Sequence, residues 1–266
     1  MISRQQLIEQ IKLKRSFLCV GLDTDINKIP EFLKEYPDPI FEFNKRIIDA
    51  TKDLCISYKP NAAFYEDGAG WRALTETVAY AHGKGVPVVL DAKRADIGNT
   101  TRQYAKLLEG DHAADAITVN PYMGRDSLEP FLARSEKGVF VLCRTSNAGG
   151  ADLQDLELAS GEAVYERVAA LADLWNANGN IGLVVGATAA DELESLREQV
   201  PDLPFLVPGV GPQGGDVEAA VEFGQSEGVG LVNSSRGIIF AGDGENFDRA
   251  AGEAAKRLKK QLNRYR

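Results

Sequence analysis

The sequence holds only two histidines, His82 and His112, in 266 residues. Both fall on helix-like stretches away from any strand end. That leaves little from which to build a histidine-ligated metal centre or a histidine base. Cysteine is almost as scarce. Cys19, Cys55 and Cys143 are far apart, odd in number and set in apolar strand-like runs. They read as reduced core residues, not as a disulfide framework or a metal site. No stretch approaches the roughly 20 apolar residues of a membrane span. The opening, Met1-Ile-Ser-Arg-Gln-Gln-Leu, lacks the apolar core of a signal peptide, so a cytoplasmic protein is the expectation. Basic charge is short too: 30 Lys and Arg face 39 Asp and Glu, a net charge of −9. That argues against a nucleic-acid or anionic-membrane binder, which needs a broad basic surface. It leaves room for a small anionic ligand, which needs only a local positive pocket.

What is present is a rhythm. Apolar runs recur at 17–22, 54–58, 86–90, 116–119, 138–143, 181–185, 205–207 and 230–232. Most are separated by segments long enough for a helix. Ile40, Phe41, Phe43, Ile47 and Ile48 have helical spacing, with Asp38-Pro39 as N-cap and first helical residue. Further helices are expected from Leu74 to His82 and over 163–177, 216–223 and 250–262, and an extra one over 3–14 precedes the first strand. Eight strand–helix units with continuous apolar strands predict an α/β fold, a (β/α)8 TIM barrel. An open doubly wound sheet normally carries a glycine-rich turn after its first strand. Here that strand runs into Gly21-Leu-Asp23-Thr-Asp25, with no Gly-x-Gly-x-x-Gly. No linker or low-complexity stretch interrupts the chain, so one domain over residues 1–266 is expected.

One stretch stands out: Val86-Pro-Val-Val-Leu-Asp91-Ala-Lys93-Arg-Ala-Asp96-Ile97-Gly-Asn-Thr100. It begins as a buried strand and ends in charge. Strand side chains alternate between faces, so Asp91 and Lys93 should point the same way. Asp96 follows where Gly98 suggests a turn. Two carboxylates around one ammonium keep a lysine charged and fixed in place, which suits a lysine that must deliver a proton. A solvated salt-bridge cluster is the other reading of the same residues. Barrel active sites lie at the C-terminal strand ends. Those ends carry Asp23, Lys59 with Asn61, Asp91 with Lys93, Asn120, Thr145 with Ser146, Thr188, the run 209–215 and residues 234–236. The variety of acids, lysines, amides, hydroxyls and an arginine on one rim favours chemistry over a merely wet surface.

Two glycine-bearing loops follow strands seven and eight: Pro208-Gly-Val-Gly-Pro-Gln213-Gly-Gly-Asp216 and Asn233-Ser-Ser-Arg236-Gly237. Barrels often bind phosphate between these loops. Glycine lets backbone N–H groups approach an anion, Arg236 can bind it through two bonds, and Gln213 can donate an amide bond. Two flexible surface loops would carry the same residues. The loop from Arg144 is long, rich in hydrogen-bonding groups and marked by Gly149 and Gly150. It reads equally as a lid or as a passive insertion. Ser146 has no neighbouring histidine or acid to activate it, so it is assigned a hydrogen-bonding role.

The run Asp91-Ala-Lys93-Arg-Ala-Asp96-Ile97-Gly-Asn-Thr100 resembles the signature of the orotidine 5′-phosphate decarboxylase family. Asp23, Lys59, Ser146, Gln213 and Arg236 match supporting positions in order along almost the whole chain. The length and the segment Tyr58-Lys-Pro-Asn-Ala-Ala-Phe-Tyr-Glu66 are similar to the larger bacterial and archaeal branch. The resemblance implies decarboxylation of orotidine 5′-phosphate to UMP and carbon dioxide, with no metal and no cofactor. It implies that Lys93 protonates C6 of the pyrimidine while Asp91 holds Lys93 near the substrate carboxylate. Asp96, Ile97 and Thr100 would enter the active site of the other subunit of a homodimer. Asp23 and Lys59 would bind ribose hydroxyls, Ser146 the pyrimidine edge, and Gln213 and Arg236 the phosphate. Two alternatives remain. A magnesium-dependent sugar-phosphate decarboxylase or aldolase of the same superfamily needs a metal-binding carboxylate at strand two, where this chain has Lys59; Glu66 is a distant substitute. A non-catalytic nucleotide-phosphate-binding barrel would have no need of Asp91, Lys93 and Asp96.

Overall fold

A computed structural model describes residues 4–110, 113–187, 190–210, 217–225 and 229–265. Eight strands run in chain order: β1 Leu18–Leu22, β2 Ser57–Pro60, β3 Val89–Arg94, β4 Ala116–Val119, β5 Gly138–Arg144, β6 Ile181–Val185, β7 Phe205–Val207 and β8 Gly230–Ser234. They form one sheet in the order β2-β1-β8-β7-β6-β5-β4-β3, every pair parallel. Parallel bridges from Tyr58 to Val88 and from Asn61 to Asp91 bring β3 back to β2 and round off the barrel. The strands are buried on both sides, as a sheet covered by helices requires.

The helices are α1 Arg4–Lys14, α2 Pro39–Thr51, α3 Gly70–Gly83, α4 Gly98–Ala105, α5 Glu129–Leu132, α6 Val164–Trp175, α7 Ala190–Gln199, α8 Val217–Gln225, α9 Arg236–Ile239 and α10 Phe247–Leu262. The α2 start is as the sequence predicts: Asp38 accepts a hydrogen bond from the Phe41 N–H at 3.0 Å, and Pro39 opens the helix. Its apolar face packs on α10, where Phe43 and Phe247 stack with ring centroids 4.9 Å apart. Burying two such side chains contributes about 1.5–3 kcal/mol each.

The early helix α1 lies across the N-terminal mouth of the barrel. Leu7 borders a small space there with Ser57, Ala116, Gly138 and Ile181, the first residues of four strands. Lys14 fixes the helix by donating to the carbonyls of Lys52 and Cys55, both at 3.0 Å. With one end of the barrel covered, the other end is open for a ligand.

Two strands differ from the sequence reading in ways that matter for the site. In the run 54–58, residues 55–58 are buried and Leu54 partly so, but β2 starts only at Ser57, because residues 52–56 turn out of α2 before pairing begins. The strand then carries a lysine, Lys59, opposite Gly21 of β1. In β3, Leu90 pairs with Ile117 and Arg94 with Val119, so residues 91–93 all lie against Thr118. This wide bulge sits where the charge is.

Candidate active site

The C-terminal mouth encloses a cleft of about 560 Å³ to which every strand contributes. One wall is charged and polar, built on β1 to β4 and β8. The opposite wall, Leu142, Val184 and Leu206, is apolar and comes from β5, β6 and β7. Asp91 is the hub of the polar wall. Its Oδ2 accepts from Lys59 Nζ at 2.9 Å, and its Oδ1 accepts from Lys93 Nζ at 2.6 Å and from Thr118 Oγ1 at 2.8 Å. Lys59 is 4% exposed, whereas the Lys93 side chain is 48% exposed and reaches into the open cleft.

Burial works against the Lys59 charge, but Asp91 and Asp23 outweigh it and hold the ammonium pKa above the ordinary lysine value. Burial also works against the Asp91 carboxylate, yet the Lys59 and Lys93 ammonium groups pull its pKa far below the usual range. The Asp91 carboxylate and the buried Lys59 ammonium therefore both stay charged at neutral pH. Alternation along β3 is not what brings Lys93 onto Asp91. Lys93 has φ +48°, the left-handed region, at a strain of roughly 1–2 kcal/mol for a residue with a side chain. Its backbone N–H donates to Thr118 Oγ1 at 2.9 Å. The bulge thus re-aims Lys93, and Thr118 ties its main chain to the same carboxylate that holds its ammonium.

Asp23 lies just beyond β1 in the cleft wall, with Oδ1 buried and without a protein hydrogen-bond partner; Asn233 Oδ1 and Ser235 Oγ are in the same condition nearby. Such oxygens on a cleft wall call for a ligand that brings hydrogen-bonding groups. Thr145 and Ser146 line the cleft beside the apolar wall, and Arg236 lines it from the start of α9, exposed. Gln213 and Thr188 lie outside the described residues, as does His112. Asp96, Ile97 and Thr100 are not in this chain's cleft. The Asp96 carboxylate turns back onto the Ile97 N–H at 2.8 Å, Ile97 is 59% exposed, and Thr100 is on the exposed face of α4. Within one chain, therefore, two ammonium groups flank one carboxylate, where the sequence suggested two carboxylates around one ammonium.

The remaining candidates sort themselves by contact. His82 bonds Asp115 at 2.8 Å, away from the cleft. Glu66 pairs with Arg94. All three cysteines are free and buried; burial pushes Cys19 and Cys143 up to about 12 and Cys55 to about 11, which removes them as thiolates. Thr118 escaped the sequence reading, and Asn233 entered it only as the first residue of the loop after strand eight. The signal of Thr118 was a polar residue inside a short apolar strand, which sequence alone cannot assign to the barrel interior.

Charge buried at the open end of a barrel and faced by apolar side chains costs stability and supplies a preorganised field. The fold and site define a barrel enzyme with a cleft for a small polar ligand. The sequence model of the orotidine 5′-phosphate decarboxylase / HUMPS family matches residues 16–250. The orotidine 5′-phosphate decarboxylase of Halorubrum lacusprofundi is 66% identical over 275 aligned positions, covering 98% of this chain and 99% of that protein. That of Haloarcula marismortui is 64% identical, with 98% of each covered. The solved structure of Leishmania donovani OMP decarboxylase superposes with a TM-score of 0.84 at 41% identity, covering 99% of this chain and 98% of that one. The chain belongs to the orotidine 5′-phosphate decarboxylase / HUMPS family.

Proposed function

We propose that the chain decarboxylates orotidine 5′-phosphate to UMP and carbon dioxide, a step of pyrimidine nucleotide synthesis, using neither metal nor organic cofactor. The observation that carries this reading is Asp91 held between Lys59 and Lys93 at the cleft wall. When the C6–carboxylate bond breaks, its electron pair stays on C6 in the ring plane, where the ring delocalises it poorly. A fixed ammonium beside C6 stabilises that charge and then gives it a proton. Lys93 is the exposed arm of the array and the donor; it recovers its proton from solvent after product leaves. Asp91 holds Lys93 in place through its 2.6 Å contact, and its own charge faces the departing carboxylate. The apolar wall excludes water, which strengthens each of these interactions. Enzymes lower barriers by roughly 8–23 kcal/mol, and this chemistry needs the upper part of that range.

Asp23 and Lys59 bind ribose hydroxyls in this reading, Ser146 reads the pyrimidine edge, and Arg236 with Gln213 holds the phosphate. Asp96, Ile97 and Thr100 act in the cleft of a second copy. Two facts support a homodimer. Asp96 does not line its own chain's cleft, and Ile97 (59% exposed), Tyr122 (78%) and Met123 (44%) leave apolar surface beyond β3 and β4. A magnesium-dependent reaction is disfavoured by the charges themselves. Both Asp91 oxygens already face ammonium groups, so a divalent ion there would sit against two positive charges.

The test is a spectrophotometric assay: protein in excess EDTA is mixed with orotidine 5′-phosphate and the loss of ultraviolet absorbance is followed. Rapid turnover with chelator is the expected result. Turnover only after magnesium is restored would overturn the metal-free reading.

A further inference from the structure

Among the described residues, the loop after β5 brings two hydroxyls to the apolar side of the cleft, Thr145 and Ser146. The two are not equivalent. The Thr145 hydroxyl donates to Asn147 Oδ1 at 2.7 Å and accepts from Gln154 Nε2 at 2.9 Å, so it is used inside the loop. The same Gln154 side chain accepts the Thr145 backbone N–H at 2.9 Å through Oε1. One amide group thus grips both the main chain and the side chain of residue 145, the residue before Ser146. Arg144 supports the grip from behind. Its guanidinium reaches Gln154 Oε1 and the Thr145 carbonyl, both at 3.3 Å, Asp155 at 3.3 Å and Glu192 of α7 at 3.5 Å.

The packing around this clamp admits no slack. A Cβ at Gly150 would fall 3.0 Å from each of Arg144 Nη1, Gln154 Oε1 and Thr145 Oγ1. A Cβ at Gly186, the residue after β6, would fall 2.9 Å from both Cβ and N of Ser146. One glycine backbone therefore packs closely against the clamp and another against Ser146. Main-chain bonds tie Gln154 itself into the loop and α6: its N–H donates to the Gly150 carbonyl at 2.8 Å, and its carbonyl accepts from Tyr165 at 3.1 Å. The β5 register shift at Cys143 is what turns the chain into this arrangement.

We infer that Gln154 is a positioning residue for base recognition. By clamping Thr145 it fixes the direction in which Ser146 meets the pyrimidine edge, although residue 154 does not line the cleft. The inference rests on the reading of Ser146 as the base-edge contact. A hydrogen-bonding group held in place beforehand binds without the ordering cost of a mobile loop.

The experiment compares two ligands by calorimetry: UMP, which has the base, and ribose 5-phosphate, which does not. Variants Gln154→Leu, Gln154→Glu, Ser146→Ala and Ser146→Ala/Gln154→Leu are measured beside the wild type. Gln154→Leu is expected to weaken UMP about tenfold or more while leaving ribose 5-phosphate within about twofold. The double variant should lose no more than the worse single one, since both act through one contact. Gln154→Glu keeps an acceptor for the Thr145 N–H and should recover most of the UMP affinity, which keeps the test open if the leucine variant folds poorly. Equal weakening of both ligands by Gln154→Leu, with no recovery in Gln154→Glu, would make residue 154 a structural support only and overturn the inference. So would an unchanged ligand ratio in Gln154→Leu when Ser146→Ala lowers it. An unchanged ratio in Ser146→Ala would instead sink the base-edge reading of Ser146 on which the inference stands.

Discussion

Replacing Asp91 by asparagine keeps the shape of the hub and removes its charge, and the structure gives unequal consequences for its two partners. Lys93 is 48% exposed at its side chain, so solvent screens its pair with Asp91 and the pair contributes about 0–1 kcal/mol. Lys59 is 5% exposed at its side chain and cannot turn to water. Removing one partner of a buried pair costs about 3–5 kcal/mol, because an uncompensated charge is left behind. Asp23 still acts on Lys59, which puts the expected loss near the lower end, about 3 kcal/mol. At about 2–4 °C per kcal/mol for a chain of this size, Tm should fall by roughly 6–12 °C. Acid provides the signature. The folded-state pKa of Asp91 lies below its unfolded value of about 3.9. Its contribution is therefore complete above that pH and is lost as pH falls below it. The stability gap between wild type and Asp91→Asn should be full at pH 7 and shrink as the pH is taken from 5 to 3. Urea unfolding followed by circular dichroism, at one protein concentration, measures it. An Asp91→Asn variant as stable as wild type at pH 7, or a gap that widens in acid, would refute this electrostatic account.

Three other outcomes follow from the same geometry. Thr118→Val removes the bond to Asp91 and the acceptor for the Lys93 N–H; it should lower stability by about 1–3 kcal/mol and reduce kcat more than it weakens UMP binding, as steady-state kinetics and calorimetry would reveal. Arg236→Ala should weaken UMP by about 2–3 kcal/mol, roughly 30–150-fold, and leave uridine unchanged; an equal loss for uridine would remove Arg236 from the phosphate site. If the proposed homodimer shares its sites, Lys93→Ala and Asp96→Ala, each inactive alone, should recover about a quarter of wild-type activity when refolded together, since half of randomly formed dimers would be mixed and half of their sites intact. No recovery would mean that Asp96 serves its own chain.

The barrel was legible because eight apolar runs map onto eight strands, and β4, β6 and β7 agree to the residue. Burial and pairing are different properties, however. Leu54, Cys55 and Ile56 are apolar because they pack under the barrel, and β2 begins only after them. Helices α4 and α7, with sequences Gly-Asn-Thr-Thr-Arg-Gln-Tyr-Ala and Ala-Asp-Glu-Leu-Glu-Ser-Leu-Arg-Glu-Gln, are too polar for an apolar stripe to announce them. In the site, the pairing of Asp91 with Lys93 and the presence of Lys59 at the same rim could be read from strand ends. The bulge that accomplishes the pairing could not, because a left-handed lysine leaves no mark in the sequence. Nor could the role of Thr118, whose hydroxyl matters only through its distance from a residue 27 positions earlier. Gln154 shows the same limit: in sequence it is one polar residue in a polar loop, and only the fold puts it against Thr145.

The most direct test of the central claim is Lys93→Ala, assayed for turnover of orotidine 5′-phosphate and for UMP affinity in the same preparation. If Lys93 is the proton donor, turnover falls by about 10³-fold or more while UMP binding stays within about tenfold of wild type. Turnover near the wild-type rate would place the donor elsewhere and contradict the mechanism.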